Sequence, residues 1–433
     1  MKIRKFTLPL ALILSAAMPL EQAFAASETQ LVPVASPAPL PSYMKGVNLS
    51  GYEYNPGPDG DEGVPCGKGG CQKLWWTYVI PTTAEMDYYK GNGFSIIRLP
   101  FDISRLQPIN FGLLNQTNLG RIVTLVEHAR AIGMYVILDP HDYGQMWCTA
   151  NADFEVIGYT ACATNSAFAD FWSRLSMLFQ NYPNVIYGLM NEPYIQTAAQ
   201  WETSALAAIN AIRSITTTQT ILIPGTAWTG AWTWTSSGNG AAWAGYKDPA
   251  GGPFMFEMHQ YLDPYGSGTQ NVCMVGAGSR LSQGAGWLAT NGYKGFLGEF
   301  DWGNVNGVIP AQCVIEGNTL MAALGAPQWG GWTWWASGPW TGNTGSNLDP
   351  GADGIAGDQP QTAVLVNNIP LRANDARAND ANDDETNTCR EFTLGGIGQT
   401  SSGYAPNQRQ QDSCRGRPEA DDRRNRSPGR RID

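Results

Sequence analysis

The sequence is poor in charge and in histidine. Of its 433 residues 15% are charged, and only three are histidine. Lys and Arg number 27 against 37 Asp and Glu, for a formal net charge of -10. That balance repels nucleic acid and anionic lipid, so the expected partners include neither. No CxxC pair and no His-x₃-His spacing accompanies the eight cysteines, so they do not read as a zinc site. No glycine-rich phosphate fingerprint follows the first candidate strand, which argues against a dinucleotide fold. The expectation is no metal and no cofactor. Past the N-terminal region, no apolar run approaches the ~20 residues needed to cross a bilayer.

What is present is apolar and aromatic. Hydrophobic residues make up 43% of the chain, and all sixteen tryptophans fall between Trp75 and Trp340. The first residues carry Lys2, Arg4 and Lys5, then an apolar run over 6–20, then Ala23-Phe24-Ala25. This reads as an export signal over 1–25, since the run is short for a membrane anchor. A Pro-rich lead-in over 26–42 follows. The expected destination is secreted or periplasmic, with no membrane attachment after cleavage, and a monomer. An oxidising destination suits disulfides. Sequential pairing is the expectation: Cys66 with Cys71, Cys148 with Cys162, Cys273 with Cys313. Spacing alone leaves the connectivity open.

From residue 43 to 371, short apolar runs alternate with amphipathic segments. The candidate strands are 46–49, 95–99, 135–139, 185–190, 220–223, 255–260, 295–298 and 332–335. Helices are expected between them, for example over 119–131 and 167–180. Strands so uniformly apolar suit burial on both faces. Eight such units in about 300 residues predict an α/β fold, a single-domain (β/α)₈ TIM barrel. Residues 372–433 differ. They hold no Lys and no Trp, and they repeat Arg-Ala-Asn-Asp-Ala. Such a segment cannot offset its ordering entropy by burial, so it reads as disordered or as an artefactual extension.

In barrels of this kind, chemistry sits at the C-terminal ends of the strands. The second candidate strand ends in Arg98. The third runs into His141 and the fourth into Asn191-Glu192-Pro193. The sixth ends in His259-Gln260-Tyr261, the seventh in Glu299, and the eighth in Trp334-Trp335. Glu192 and Glu299 supply the two carboxyl groups that glycoside hydrolysis requires, one to protonate the leaving oxygen and one to attack or activate water. Arg98 suits holding a carboxylate ionised. Asn191 suits a sugar hydroxyl, and His259 and Tyr261 suit orienting the acids. Trp335 and Trp228, with Trp147 and Trp232 weighed lower, are candidate flat platforms for a pyranose ring.

The stretches KGVNLSGYE, IIRLPF, LDPHDY, GLMNEP, MHQYLD, GFLGEF and TWWASG, in that order from Lys45 to Gly338, resemble the cellulases of glycoside hydrolase family 5. The resemblance implies an endo-β-1,4-glucanase that retains anomeric configuration. It makes Glu192 the acid/base and Glu299 the nucleophile, with Arg98, His141, Asn191, His259, Tyr261 and Trp335 supporting. Its partner would be a β-1,4-glucan. Other β-linked glycans such as mannan or xyloglucan stay open, as does a non-catalytic carbohydrate-binding role. Asp142 stands where this family commonly has Asn.

Overall fold

Among the described residues, ten strands and nine α-helices form from these runs. The strands are β1 (Met44–Leu49), β2 (Ile96–Phe101), β3 (Tyr135–Pro140), β4 (Gln145–Cys148), β5 (Asp153–Val156), β6 (Val185–Gly188), β7 (Ile221–Pro224), β8 (Phe254–His259), β9 (Gly295–Glu299) and β10 (Trp329–Ser337). The helices are α1 (Thr83–Gly91), α2 (Ile103–Leu106), α3 (Gln116–Ala131), α4 (Asn165–Phe179), α5 (Ala198–Arg213), α6 (Asn239–Ala242), α7 (Leu281–Asn291), α8 (Ala311–Leu324) and α9 (Pro360–Asn367). This computed structural model describes residues 40–60, 66, 70–339, 341, 345–350 and 357–367. The expected export signal, the lead-in up to residue 39, the tail over 372–433, and Cys389 and Cys414 lie outside the described residues. Among those residues, no helix is long and apolar enough to cross a membrane.

Eight parallel strands close into a barrel in the order β1, β10, β9, β8, β7, β6, β3, β2. This is the (β/α)₈ barrel that the alternating pattern predicts. The expected strands all form, the eighth starting earlier than anticipated, at Trp329. The antiparallel hairpin of β4 and β5 was not anticipated. Its strands are four residues each, too short for a periodic signal.

Period-two geometry explains the interior. Met44, Ile96, Ile137, Ile186, Leu222, Met255 and Phe296, one from each of seven strands, pack as a separate apolar cluster. Two residues further along, the inward positions turn polar: Arg98 on β2, Asp139 on β3 and Glu257 on β8, all at 0–1% exposure. The barrel thus has an apolar floor at its N-terminal end and a charged layer above it. The outer core is apolar and lies between strands and helices.

Helix starts follow their caps. Thr82 and Glu85 form a reciprocal capping box on α1, and Thr197 and Gln200 do so on α5. Each such cap contributes about 1 kcal/mol. Disulfides join Cys66 to Cys71, Cys148 to Cys162 and Cys273 to Cys313, the sequential pairing expected. His128 lies on α3 and pairs with Asp87 of α1 at 2.8 Å, away from the barrel mouth.

Candidate active site

The charged layer centres on Arg98, which is fully buried. Its Nη1 donates to Glu299 Oε1 at 2.8 Å and to Asn48 Oδ1 at 2.9 Å. Its Nη2 meets Asp139 Oδ1 at 2.9 Å and Asn191 Oδ1 at 2.9 Å. Nε lies 2.9 Å from Glu257 Oε1. One planar guanidinium on β2 therefore joins β1, β3, β8, β9 and the segment that follows β6. Only arginine has enough donors in a fixed fork to do this.

Glu299 reaches this layer through an irregularity. Along β8 and β9 the pairing runs Met258 with Leu297, then His259 with Glu299. Gly298 keeps the inward face set by Phe296 and sits against Glu257, and the one-residue slip beside it aims Glu299 at the mouth as well. A Cβ on Gly298 would collide with the carboxylate of Glu257 and push it off Arg98.

The second carboxylate, Glu192, follows β6, the fourth barrel strand. It sits at φ 39, in the left-handed region that non-glycine residues rarely adopt. Its Oε1 lies 2.7 Å from His259 Nδ1. Tyr261 Oη donates to Glu299 Oε2 at 2.5 Å. Carboxylate oxygens of Glu192 and Glu299 and a His259 ring nitrogen all lie within 4.8 Å of one another.

The two glutamates have opposite electrostatic environments. For Glu192, burial first and then the charge of Glu299 raise its pKa above the ordinary carboxylate value, although His259 pulls the other way. Burial would also raise Glu299, but the charges of His259 and Arg98 outweigh it and hold Glu299 below the ordinary value. His259 is itself raised to about 10. Burial disfavours its charge, yet the carboxylates of Glu299, Glu192 and Glu257 prevail. Such divergence is how two carboxyl groups take different roles. Glu192, His259 and Glu299 carry donor atoms of the types that ligate a cation. Arg98 and the hydrogen-bonded His259 already supply positive charge there, which opposes one. A second group, Cys148, Cys162 and Glu155, has its two sulfurs joined in a disulfide and offers no thiolate.

Above the glutamates lies a cleft of about 740 Å³. Among its lining residues are His141, Glu192, Trp228, His259, Tyr261, Glu299 and Trp335. His141 holds Asp139 through Nδ1 at 2.8 Å and stacks on Trp335 with centroids 5.2 Å apart. Trp228 stacks on Tyr194 with centroids 4.9 Å apart and remains 53% exposed. The sequence reading thus assembles at one site, with one correction. Trp147 is 5% exposed and packs edge-on against Phe154 inside the β4–β5 hairpin. It has no free face for a sugar and does not line the cleft. Trp232, weighed low, does line it, along with Tyr143 and Tyr265.

Asp139 and Glu257 were missed. A signal existed: each lies two residues before a named histidine, so strand alternation puts it on the same inward face. A buried Arg98 also demands buried carboxylates.

Asp142 lies outside the cleft. It is 3% exposed and accepts the Ile103 N–H at 2.9 Å at the start of α2. Burial, and then the charge of Asp102, push its pKa well above the ordinary value. The folded state therefore binds this proton more tightly than the unfolded chain. Stability contributed by the group is full below the unfolded value of about 3.9 and is lost as pH rises toward the folded value. Asp142→Asn has no such proton to lose. We expect its Tm to match the wild type near pH 4 and exceed it by about 2–4 °C at pH 7, read by calorimetry at both pH values. A lower Tm at pH 7 would refute this account.

Known proteins resemble this chain in sequence and in fold. The chain is 32% identical over 330 residues to a probable endo-β-1,4-glucanase B of Neosartorya fischeri, covering 73% of this chain and 90% of that one. Its fold matches a triple mutant of an endo-β-1,4-glucanase from Xanthomonas axonopodis pv. citri with TM-score 0.67 and 37% identity, covering 76% of this chain and 99% of that one. It also matches endoglucanase Cel5A of Pseudomonas stutzeri bound to cellobiose, with TM-score 0.64 and 27% identity, covering 76% and 94%. The cellulase family, glycosyl hydrolase family 5, matches residues 44–338, so this chain belongs to that family and is a glycoside hydrolase.

Proposed function

We propose that this protein is an endo-β-1,4-glucanase that cleaves cellulose-like chains with retention, through a glycosyl-enzyme intermediate. One observation carries the mechanism. Glu192 and Glu299 bring carboxylate oxygens within 4.8 Å of each other, with His259 between them. Retaining enzymes hold their carboxyl groups about 5–5.5 Å apart, whereas inverting enzymes leave about 6.5–9.5 Å for a water. The spacing supports the retaining assignment.

In this reading Glu299, kept ionised by His259 and Arg98, attacks the anomeric carbon. Glu192, kept protonated by burial, gives its proton to the departing oxygen. It then takes a proton from the water that releases the sugar. Asn191 uses its Oδ1 on Arg98, and its buried Nδ2 meets no acceptor among the described residues. That amide is free to bind a sugar hydroxyl beside the reacting carbon. Trp335 and Trp228 offer ring faces along the cleft. The substrate class rests on the relatives, which are endoglucanases, one of them solved with cellobiose. Secretion rests on the N-terminal sequence alone.

The test is a side-by-side product profile on carboxymethylcellulose, β-mannan and xyloglucan, with NMR of early cello-oligosaccharide products. We expect a rapid viscosity drop on carboxymethylcellulose and the β-anomer first. Early α-anomer would overturn retention. Faster cleavage of mannan or xyloglucan would overturn the substrate.

A further inference from the structure

Four tryptophans of the described residues stand well out into solvent: Trp75 at 59%, Trp76 at 76%, Trp228 at 53% and Trp232 at 38%. Trp228 and Trp232 line the cleft; Trp75 and Trp76 do not. Yet Trp75 and Trp76 belong to the same end of the barrel. They lie on the connection from the C-terminal end of β1 to α1, and catalytic groups gather at that end of the strands. In the closed sheet β1 is flanked by β2 and by β10, which carries Trp335.

The described residues of this connection are held by contacts with one another and with Arg105 and Asn118. Arg105 donates to the carbonyls of Tyr52, Tyr54 and Asn55, and its guanidinium lies 4.0 Å from the Tyr78 ring centroid. Asp59 accepts from Tyr78 Oη at 2.8 Å and from Asn118 Nδ2 at 3.0 Å. The Cys66–Cys71 disulfide closes the segment before the tryptophans. Trp75 and Tyr78 are joined by a backbone hydrogen bond of 2.8 Å, and Trp76 donates its N–H to the Lys73 carbonyl at 3.0 Å. Trp75 takes φ 66, a conformation that a bulky residue holds only when its surroundings impose it. The turn therefore keeps both adjacent indoles mostly in water, with Lys73 Nζ 5.5 Å from the Trp76 ring centroid as a charge beside them.

The chemistry of two exposed indoles selects the occupant. They offer apolar faces and ring N–H donors, which suit a pyranose with its flat CH face and hydroxyl rim. The chain's negative charge disfavours anionic ligands. A stable protein interface needs about 800 Å² on each side, more than two side chains supply.

We propose that Trp75 and Trp76 form a second glucan-binding site, outside the cleft, which holds a β-1,4-glucan chain while the cleft cuts. The proposal rests on the β-1,4-glucan reading given above. Its effect is one of tethering. Once the turn holds a long or insoluble glucan, engagement of the cleft becomes intramolecular and its effective concentration rises. A cellotetraose molecule is too short to gain from this.

The test uses the full chain with Trp76→Ala, Trp75→Ala/Trp76→Ala and Trp76→Phe. Retention on phosphoric-acid-swollen cellulose and migration through gels containing hydroxyethylcellulose are measured in a Glu299→Gln background, so the glucan is not consumed. Turnover is measured with Glu299 intact, on swollen cellulose and on cellotetraose. We expect the alanine variants to lose about 5-fold or more in retention and in swollen-cellulose turnover, with cellotetraose kcat/KM within about 2-fold of wild type. Trp76→Phe should keep most of the retention. Unchanged retention in the double variant overturns the proposal. Equal losses on cellotetraose and cellulose also overturn it, because the residues would then serve the cleft or the fold. A shift in oligomeric state without loss of glucan retention would make the turn a protein interface instead. If the wild type cleaves no β-1,4-glucan, the glucanase function and this site fail together.

Discussion

Glu299→Ala lowers turnover on every β-glucoside by about 10⁴-fold or more, the scale expected when a covalent nucleophile is lost. In the proposed mechanism no glycosyl-enzyme can form without it, so neither the leaving group nor an added nucleophile rescues the variant as a retaining enzyme. Glu192→Ala behaves differently. Its loss on cello-oligosaccharides falls within the about 10²–10⁴-fold range of general acid–base catalysis. Aryl glycosides with good leaving groups need no proton and are spared in the first step. Release of the sugar then limits, and azide speeds it by attacking the intermediate to give a β-glycosyl azide. The pH profile of the wild type follows from the same asymmetry. Activity needs Glu299 ionised and Glu192 protonated. The acid limb therefore falls below the ordinary carboxylate range, because His259 and Arg98 depress Glu299. The alkaline limb falls above it, because burial and Glu299 raise Glu192. Azide rescue of Glu299→Ala with a β-glycosyl azide product, or a single-limbed profile, would mean that the roles are misassigned.

Most of this site was legible because the barrel reads its own grammar into the sequence. Apolar runs mark strands, and the first polar residues after each run mark the mouth. That rule yields Arg98, His141, Asn191, Glu192, His259, Tyr261, Glu299 and Trp335 without any coordinates. It fails where a residue's direction depends on register. Strict alternation from Phe296 would turn Glu299 away from the barrel axis, and only the slip between Met258 and His259 restores it. It fails for Trp147, because a four-residue hairpin strand leaves no periodic trace of the packing that buries its indole. It is silent on Trp75 and Trp76. Their exposure follows from a turn fixed by Arg105, which is distant in sequence. Local pattern reports which residues approach the mouth. Long-range hydrogen bonding decides which way they face.

Arg98→Met costs about 3–5 kcal/mol of stability near neutral pH and abolishes activity. That is the range found when one partner of a buried ion network is removed and the rest stay charged. Three carboxylates meet this guanidinium: Asp139, Glu257 and Glu299. Burial alone would raise Glu257 and Glu299. Both are instead lowered, Glu257 by Arg98 and then His259, Glu299 by His259 and then Arg98. In the wild type these depressed groups contribute stability above their unfolded value of about 4.3, lost as pH falls through the folded values. Without Arg98 the burial effect gains ground, and the carboxyl groups rise toward taking up protons. The sign then reverses, and the variant loses stability as pH rises. The gap between wild type and Arg98→Met should therefore be small near pH 4 and widen toward pH 7, as read from urea melts at each pH. Arg98→Lys should recover part of the charge but not activity, since one ammonium cannot reach acceptors on Asn48, Asp139, Asn191, Glu257 and Glu299 together. A stability gap independent of pH would show that Arg98 acts by packing alone. It would also remove the electrostatic basis for keeping Glu299 ionised.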